Sequence, residues 1–408
     1  MSETSVKRSF RYRFYPTGAQ ATELLRTFGC VRKVYNLALA ARAEAWSDRR
    51  QRIGYSQTSA MLTAWKRTPE LGYLTEVSCV PQQQALRHLE TAFGNFFAKR
   101  AGHPRYKSRK RSRKSAEYTV SGFRFRDGKL TLAKMSEPLD VAWSRPLPDG
   151  ATVSTVTVSQ DAAGRWFVSM LCDDPSVEPL PAAAQAVGID VGLDNLVTLS
   201  TGEQVANPRH ERRDRNRLAR AQRSLSRKAK GDGANRAIAQ RKVARIHARS
   251  ADRRRDFLHK LTTRLVRDNQ TLVIEDLAVR NMLKNRTLAR SIADAAWSEL
   301  RSMLEYKAAW YGRTVIVADR FFPSSKLCSD CGVVQESMPL CVRTWTCSCG
   351  ANHDRDVNAA RNILAAGLAV AACGDYVRPA WRSPRGRSSA KQEVVPPQRA
   401  SAAAQSRD

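Results

Sequence analysis

Polar and apolar positions alternate from Ser9 to Tyr15, where Phe10-Arg-Tyr-Arg-Phe-Tyr15 has the period of a half-buried strand, and Pro16 ends it. Thr17 is then placed to cap a helix whose apolar face is Leu24, Phe28, Val31 and Tyr35, at three- and four-residue steps. A second helical run covers Val80 to Phe97. From Tyr118 to Cys172 the period returns to two: Val120, Phe123, Phe125, Leu130 and Leu132 surround the hairpin signal Asp127-Gly128. Thr152 to Val158 and Arg165 to Leu171 form another pair across Asp161-Ala-Ala-Gly164. These strands predict a small β-barrel or sandwich that the strand near Ser9 completes, with the intervening helices as an insertion.

Pro175 to Ala184 reads as a linker. Beyond it, two short apolar strands flank a tight turn between Ala186 and Gly202, and Asp190 stands on the first of them. Arg209 to Arg255 is helical and basic, divided at Gly231-Asp-Gly233. Thr271-Leu-Val-Ile-Glu-Asp-Leu277 is a buried strand ending in Glu275 and Asp276. A helix from Ile292 to Tyr311, with Leu300, Met303 and Leu304 inward and Gly312 closing it, leads to a strand at Thr314 to Ala318. Strands alternating with helices predict an α/β sheet. Asn358 to Leu364 is alanine-rich and helical, and the tail from Val377 to Asp408, rich in Pro, Ser, Ala and Arg, is expected to be disordered.

Charge sharpens this picture. Across 408 residues, Lys+Arg 69 against Asp+Glu 38 gives a net +31, which calls for a polyanionic partner. Nucleic acid is favoured over anionic membrane, since no apolar run approaches the roughly 20 residues needed to span a bilayer. Lys99 to Lys114 carries nine cations in sixteen positions, with Tyr106 able to stack on a base. A flexible basic loop without a defined site is the plainer alternative there, and a solvated helical hairpin is the plainer alternative for Arg209 to Arg255. The N-terminus lacks the apolar core of a signal peptide, so a cytoplasmic location is expected, near the nucleoid in a prokaryote.

Five of the nine cysteines fall between Cys328 and Cys349, a clustering that points to metal rather than disulfides. Cys328 and Cys331 form one pair and Cys347 and Cys349 a second, one residue short of the usual spacing, with Cys341 as a spare thiol. Tetrahedral Zn²⁺ is the expected occupant, and the short knuckle is expected to be strained. Cys30, Cys79, Cys172 and Cys373 read as core residues. Just past the second pair come Asp354 and Asp356.

An acid inside an apolar strand needs a reason, because an unpaired buried carboxylate is expensive. For Asp190 a bound cation supplies that reason, whereas a hydrogen bond to the turn suits Asp194 better. Asp190, Glu275 and Asp356 each stand at the end of a strand or helix, and carboxylates from separate segments are what two Mg²⁺ ions need to cut a phosphodiester.

Gly188-Ile-Asp-Val-Gly192, Ile274-Glu-Asp-Leu277, Cys328-Ser-Asp-Cys331 and His353-Asp-Arg-Asp-Val-Asn-Ala-Ala360 resemble the TnpB (OrfB) proteins of insertion sequences, compact relatives of type V CRISPR nucleases. Phe14-Tyr-Pro-Thr17, Pro104-Arg-Tyr-Lys107, Ser226-Arg-Lys228 and Phe257-Leu-His259 extend the resemblance over most of residues 10 to 365. It implies a multidomain α+β protein that cuts DNA under the direction of a guide RNA from the transposon end, the target being double-stranded DNA. In that scheme a RuvC-like, RNase H-type nuclease domain covers 185–325 and 351–370, a zinc ribbon 326–350, a β-barrel wedge domain 1–15 and 116–180, a helical recognition insertion 16–115, and a disordered tail 371–408.

By position the catalytic acids would be Asp190, Glu275 and Asp356, with Asp354 as a further candidate. Arg105, Tyr106, Lys107, Arg227 and Lys228 would contact nucleic acid. The alternatives are a guided repressor without nuclease activity, or a transposition accessory protein. The repressor predicts a missing acid, and every acid is present. A strand-joining transposase would need a His-and-Tyr nucleophile arrangement, which does not stand out among the six histidines.

Overall fold

The computed structural model describes residues 6–229, 231, 233–339 and 341–372. Among them, 6–367 belong to one compact unit, and the second unit begins at Leu368. Cys373 and the tail from Val377 lie outside the described residues.

β1 (Val6–Phe14) opens the chain, followed by three helices: α1 (Gly18–Arg49), α2 (Tyr55–Trp65) and α3 (Cys79–Phe97). Thr17 caps α1, accepting from the Gln20 N–H while the Gln20 side chain accepts from the Thr17 N–H. Then come β2 (Lys114–Thr119), β3 (Phe123–Arg126), β4 (Lys129–Leu132), β5 (Val141–Ala142), β6 (Thr152–Gln160) and β7 (Trp166–Asp174). The sheet runs β2-β6-β7-β1-β5, so the first strand does join the later ones, along the full length of β7. Asp127 and Gly128 both take positive φ (51° and 69°), closing the β3–β4 hairpin as its sequence requires. Val120 departs from its expected strand: it lies in a 3₁₀ turn and is exposed. Phe10, Tyr12, Phe14, Val156, Val158 and Met170 form the sheet's core with Leu24 and Phe28 of α1. Further along α1, Val34 and Leu39 pack on α2 and α3 with Leu62 and Leu86.

The second half begins with β8 (Ala186–Asp190), β9 (Asn195–Leu199) and β10 (Gln204–Ala206), followed by the basic helices α4 (His210–Ser226) and α5 (Gly233–Asp268). β11 (Thr271–Glu275), α6 (Val279–Met282), α7 (Ala289–Ala295), α8 (Trp297–Trp310) and β12 (Thr314–Ala318) come next. The helix expected from Ile292 to Tyr311 is two helices: Ala296 turns left-handed at φ 53°, and this re-aims the chain so that Ile292 and Trp297 both enter one core. Gly312, at φ 66°, ends α8.

In this sheet the order is β10-β9-β8-β11-β12, with β8, β11 and β12 parallel and β9 antiparallel to both β8 and β10. Val187, Ile189, Leu272 and Ile274 face α5 and α8, and Val273 faces away from them. That second face is covered by the part of α9 (Arg355–Ala372) that ends at Gly367, reached through the hairpin β13 (Thr344–Thr346) and β14 (Asn352–Asp354). Here α9 lies directly on the strands. A Cβ on Gly188 would come within 2.0 Å of the Ala360 carbonyl oxygen, and one on Gly367 within 2.3 Å of Val273 Cγ1. Two glycines therefore fix the depth at which α9 crosses β8 and β11. Among the described residues no helix is long and apolar enough to cross a membrane.

Candidate active site and metal centre

Pairing of β8 with β11 puts Ile189 opposite Ile274, so Asp190 and Glu275, each the next residue, end neighbouring strands at the same level. Their carboxyls hydrogen-bond each other. Burial, the charge of Glu275 and that of Asp356 push Asp190 well above the usual carboxylate range. Glu275 is also pushed up, chiefly by burial, and is hydrogen-bonded by Asp190 and Ser324. Two partly buried acids that share a hydrogen bond cannot both ionise without a counter-charge, so this pair has the electrostatics of a cation site.

Asp356 stands in the first turn of α9, and the depth fixed by Gly188 brings that turn over Asp190. Arg343, on the approach to β13, lies 3.6 Å from Asp356 and also pairs with Asp194 at 2.5 Å. Asp194 takes Arg209 as well, at 2.6 Å. This corrects the expected hydrogen bond from the turn: two guanidiniums compete successfully for that exposed carboxylate. Asp354 has a different task, since its Oδ1 accepts from the N–H groups of Asp356 and Val357 at 3.0 and 2.9 Å and so caps α9. Asp276, the next residue, is engaged elsewhere: bonds from Arg301 and Arg320 hold it below the usual range.

The thiols of Cys328, Cys331, Cys347 and Cys349 lie within 4.8 Å of one another. Cys328 and Cys349 sulfurs are 3.8 Å apart, and those of Cys331 and Cys347 are 3.6 Å apart. Four thiolates about 2.3 Å from one tetrahedral ion stand about 3.8 Å apart, so the donor set fits Zn²⁺. The short second pair reaches this spacing because Gly350, like Gly332 after the first pair, turns left-handed (φ 89° and 76°). Cys341 is exposed and outside the group. A backbone N–H from Cys349 leads the interactions that draw the Cys347 thiol down to about 6. His353, buried against Trp345, brings Nε2 within 3.1 Å of Cys328 Sγ. Cys30 and Cys172 are buried as expected, but Cys79 is exposed, because the first turn of α3 holds it outside the apolar stripe.

Two asparagines join the centres. Asn358 donates to the Leu327 carbonyl at 2.7 Å and accepts from the Ser329 N–H at 2.9 Å; Asn362 donates to the Ser324 and Leu327 carbonyls at 2.8 and 2.7 Å. Both are buried in α9, so the thiol knuckle, the Ser324 turn and the Asp356 helix move as one piece. Sequence reading missed Arg343, Ser324 and both asparagines. Only the asparagines left a signal, as amides four residues apart on the apolar face of a helix.

Of the expected nucleic-acid contacts, Arg105, Tyr106 and Arg227 are exposed. Lys107 is not free: its backbone is bonded on both sides by Asn36, and its ammonium lies 3.9 Å from the centre of the Tyr35 ring. Lys228 is half-buried, its carbonyl accepting from Arg236 at 2.5 Å.

Three family profiles match the chain: OrfB_IS605, described as a probable transposase, over residues 158–286; the Cas12f1-like TNB domain over 297–363; and a helix-turn-helix domain of OrfB_IS605 over 1–51. That last segment holds a strand and one long helix. A Streptomyces pristinaespiralis protein, provisionally named RNA-guided DNA endonuclease, is 69% identical over 398 residues, covering 97% of this chain and 98% of the relative. InsQ of Escherichia coli K12, with the same provisional name, is 35% identical over 392 residues, covering 91% and 95%. The fold is similar to that in the cryo-EM structure of a Cas12f1-sgRNA-target DNA complex, with a TM-score of 0.56 at 12% identity, over 88% of this chain and 99% of that one.

Proposed function

Because the chain belongs to the OrfB (TnpB-like) family of insertion-sequence proteins, we propose that it is a transposon-encoded, RNA-guided DNA endonuclease whose catalytic acids are Asp190, Glu275 and Asp356. The observation that carries this reading is the hydrogen-bonded Asp190–Glu275 pair, charged against Asp356 and unbalanced without a cation. We assign 185–325 and 351–370 to a RuvC-like nuclease domain, in keeping with its mixed five-stranded sheet. Residues 326–350 form the zinc ribbon, with β14 completing its hairpin. The antiparallel sheet is the wedge domain, α1 to α3 are the recognition insertion, and the guide RNA lies along the basic surfaces that include Arg105, Tyr106 and Arg227.

The three acids would hold two Mg²⁺, which when bound supply an activated water and stabilise the leaving oxygen of the phosphodiester. The protein's own part is positioning. β8 and β11 set Asp190 beside Glu275, Ser324 orients Glu275, and Asp354 holds the first turn of α9 so that Asp356 faces them. Arg343, half-exposed and paired with Asp194 and Asp356, would on this reading also face the charge that develops on the phosphate. Cys328, Cys331, Cys347 and Cys349 would hold one structural Zn²⁺ that keeps the Ser324 turn and α9 in register.

The test is to purify the protein with its co-expressed nucleic acid, sequence that nucleic acid, and offer matching DNA with Mg²⁺. RNA from the element's end and cleavage of matching DNA are expected. A preparation that retains such RNA but never cuts would leave a guided binding protein.

A further inference from the structure

The Arg343 guanidinium stands between two carboxylates, one inside the proposed ion site and one outside it. Its Nη2 lies 2.5 Å from Asp194, while Nη1 is 3.6 Å from Asp356, beyond hydrogen-bond length. Water screening favours the opposite choice. The Asp356 side chain is 23% exposed and that of Asp194 61%, so Coulomb attraction is the less screened at Asp356, and Asp194 already has Arg209 as a partner. An arginine left to itself would close on Asp356.

The surroundings explain why it does not. The Arg343 carbonyl accepts from the N–H of Arg355, the first residue of α9, at 2.8 Å, so its backbone is pinned and only the side chain is left to swing. Asp194 is fixed from the other side. Arg209 donates to its Oδ1 at 2.6 Å and to the Leu193 carbonyl at 3.4 Å, from a left-handed backbone at φ 48° that is uncommon for residues other than glycine. Asn207 holds that bend. Its Oδ1 accepts from the Arg209 N–H at 3.1 Å, its Nδ2 donates to the Leu193 carbonyl at 3.0 Å, and its N–H donates to the Asp194 carbonyl at 3.2 Å. An ordinary surface ion pair contributes almost nothing and has no such support.

We propose that Asp194 is a positioning residue that holds Arg343 off Asp356 and so keeps that carboxylate open to a metal ion. The proposal rests on the nuclease reading and adds to it a control on the ion site from outside the three acids. Two cations on one carboxylate repel each other, so Arg343 closed on Asp356 would compete with the ion. Parked on Asp194, the same guanidinium stays beside the site without occupying it.

The test titrates Mn²⁺ into purified protein and reads free Mn²⁺ by electron paramagnetic resonance, counting as site-bound the fraction that Asp190→Asn loses. Asp194→Asn should weaken that binding about three- to fivefold, the scale of an exposed ion pair. Arg343→Ala should bind at least as well as wild type, and the double variant Asp194→Asn with Arg343→Ala should return to wild-type affinity. A merely structural role for Asp194 gives no such rescue. Unchanged affinity in Asp194→Asn, a loss that Arg343→Ala fails to reverse, or weaker binding in Arg343→Ala alone would overturn the positioning role. Wild-type protein with no Asp190-dependent Mn²⁺ would instead sink the nuclease reading, and this inference with it.

Discussion

The thiol cluster and the acid cluster are built in opposite ways. Four sulfurs come from one short stretch between Cys328 and Cys349, and two left-handed glycines suffice to aim them. The three acids come from β8, β11 and α9, and only the parallel pairing of the strands and the close crossing of α9 unite them. A local cluster needs turn chemistry; a distant one needs the whole sheet. The second cluster is accordingly the more fragile, and it leans on the first through Asn358 and Asn362.

Asp190→Ala should break the acid cluster most severely, cutting Mg²⁺-dependent cleavage by about a thousandfold or more while RNA stays bound. Single-turnover cleavage and RNA co-purification measure the two halves. Asp190→Asn adds a pH signature. A carboxylic acid raised in the folded state is stabilising relative to its ionised form only at low pH, and that contribution is lost as pH rises from the ordinary carboxylate range through the folded value. Metal-free wild-type protein should therefore melt below Asp190→Asn near neutral pH, with the gap closing towards pH about 4. Equal melting temperatures across the range would show that the pair carries no strain.

Arg343→Ala should lower kcat about a hundredfold without weakening the response to Mg²⁺, as expected for a cation that acts on the phosphate. A fall in apparent Mg²⁺ affinity would instead give Arg343 a role in shaping the ion site. Cys328→Ser, or zinc removal by a chelator with Mg²⁺ then restored, should lower cleavage about tenfold or more, because the knuckle no longer holds α9. Zinc content measured alongside activity would separate the clusters: full activity at zero zinc would make the ribbon independent of the acids. Asp354 gives the smallest effect. Asp354→Asn keeps the cap and most of the activity, and Asp354→Ala costs about 1 kcal/mol of stability, readable by denaturant melting.

The same contrast explains what could be read from the chain. β1, the α1 cap, the Asp127-Gly128 hairpin and the thiol pairs depend on neighbouring residues, and their patterns announce them. Asp190 and Glu275 were legible one at a time, as acids out of place in apolar strands; their pairing lies in the β8–β11 register. The break at Ala296 carries no Gly or Pro, so nothing local marks it. Arg343 looks like any other arginine in a chain of net charge +31, and only the folded hairpin sets it beside Asp356. Asp194 misled for the same reason, since its partners Arg209 and Arg343 lie far along the chain.

Diffraction from crystals soaked in Mn²⁺, recorded at the manganese absorption edge, tests most directly whether the acids form one ion site. Anomalous peaks within bonding distance of Asp190, Glu275 and Asp356, lost in Asp190→Asn, are the predicted result. Wild-type crystals with no manganese there, or a peak unchanged in Asp190→Asn, would contradict it.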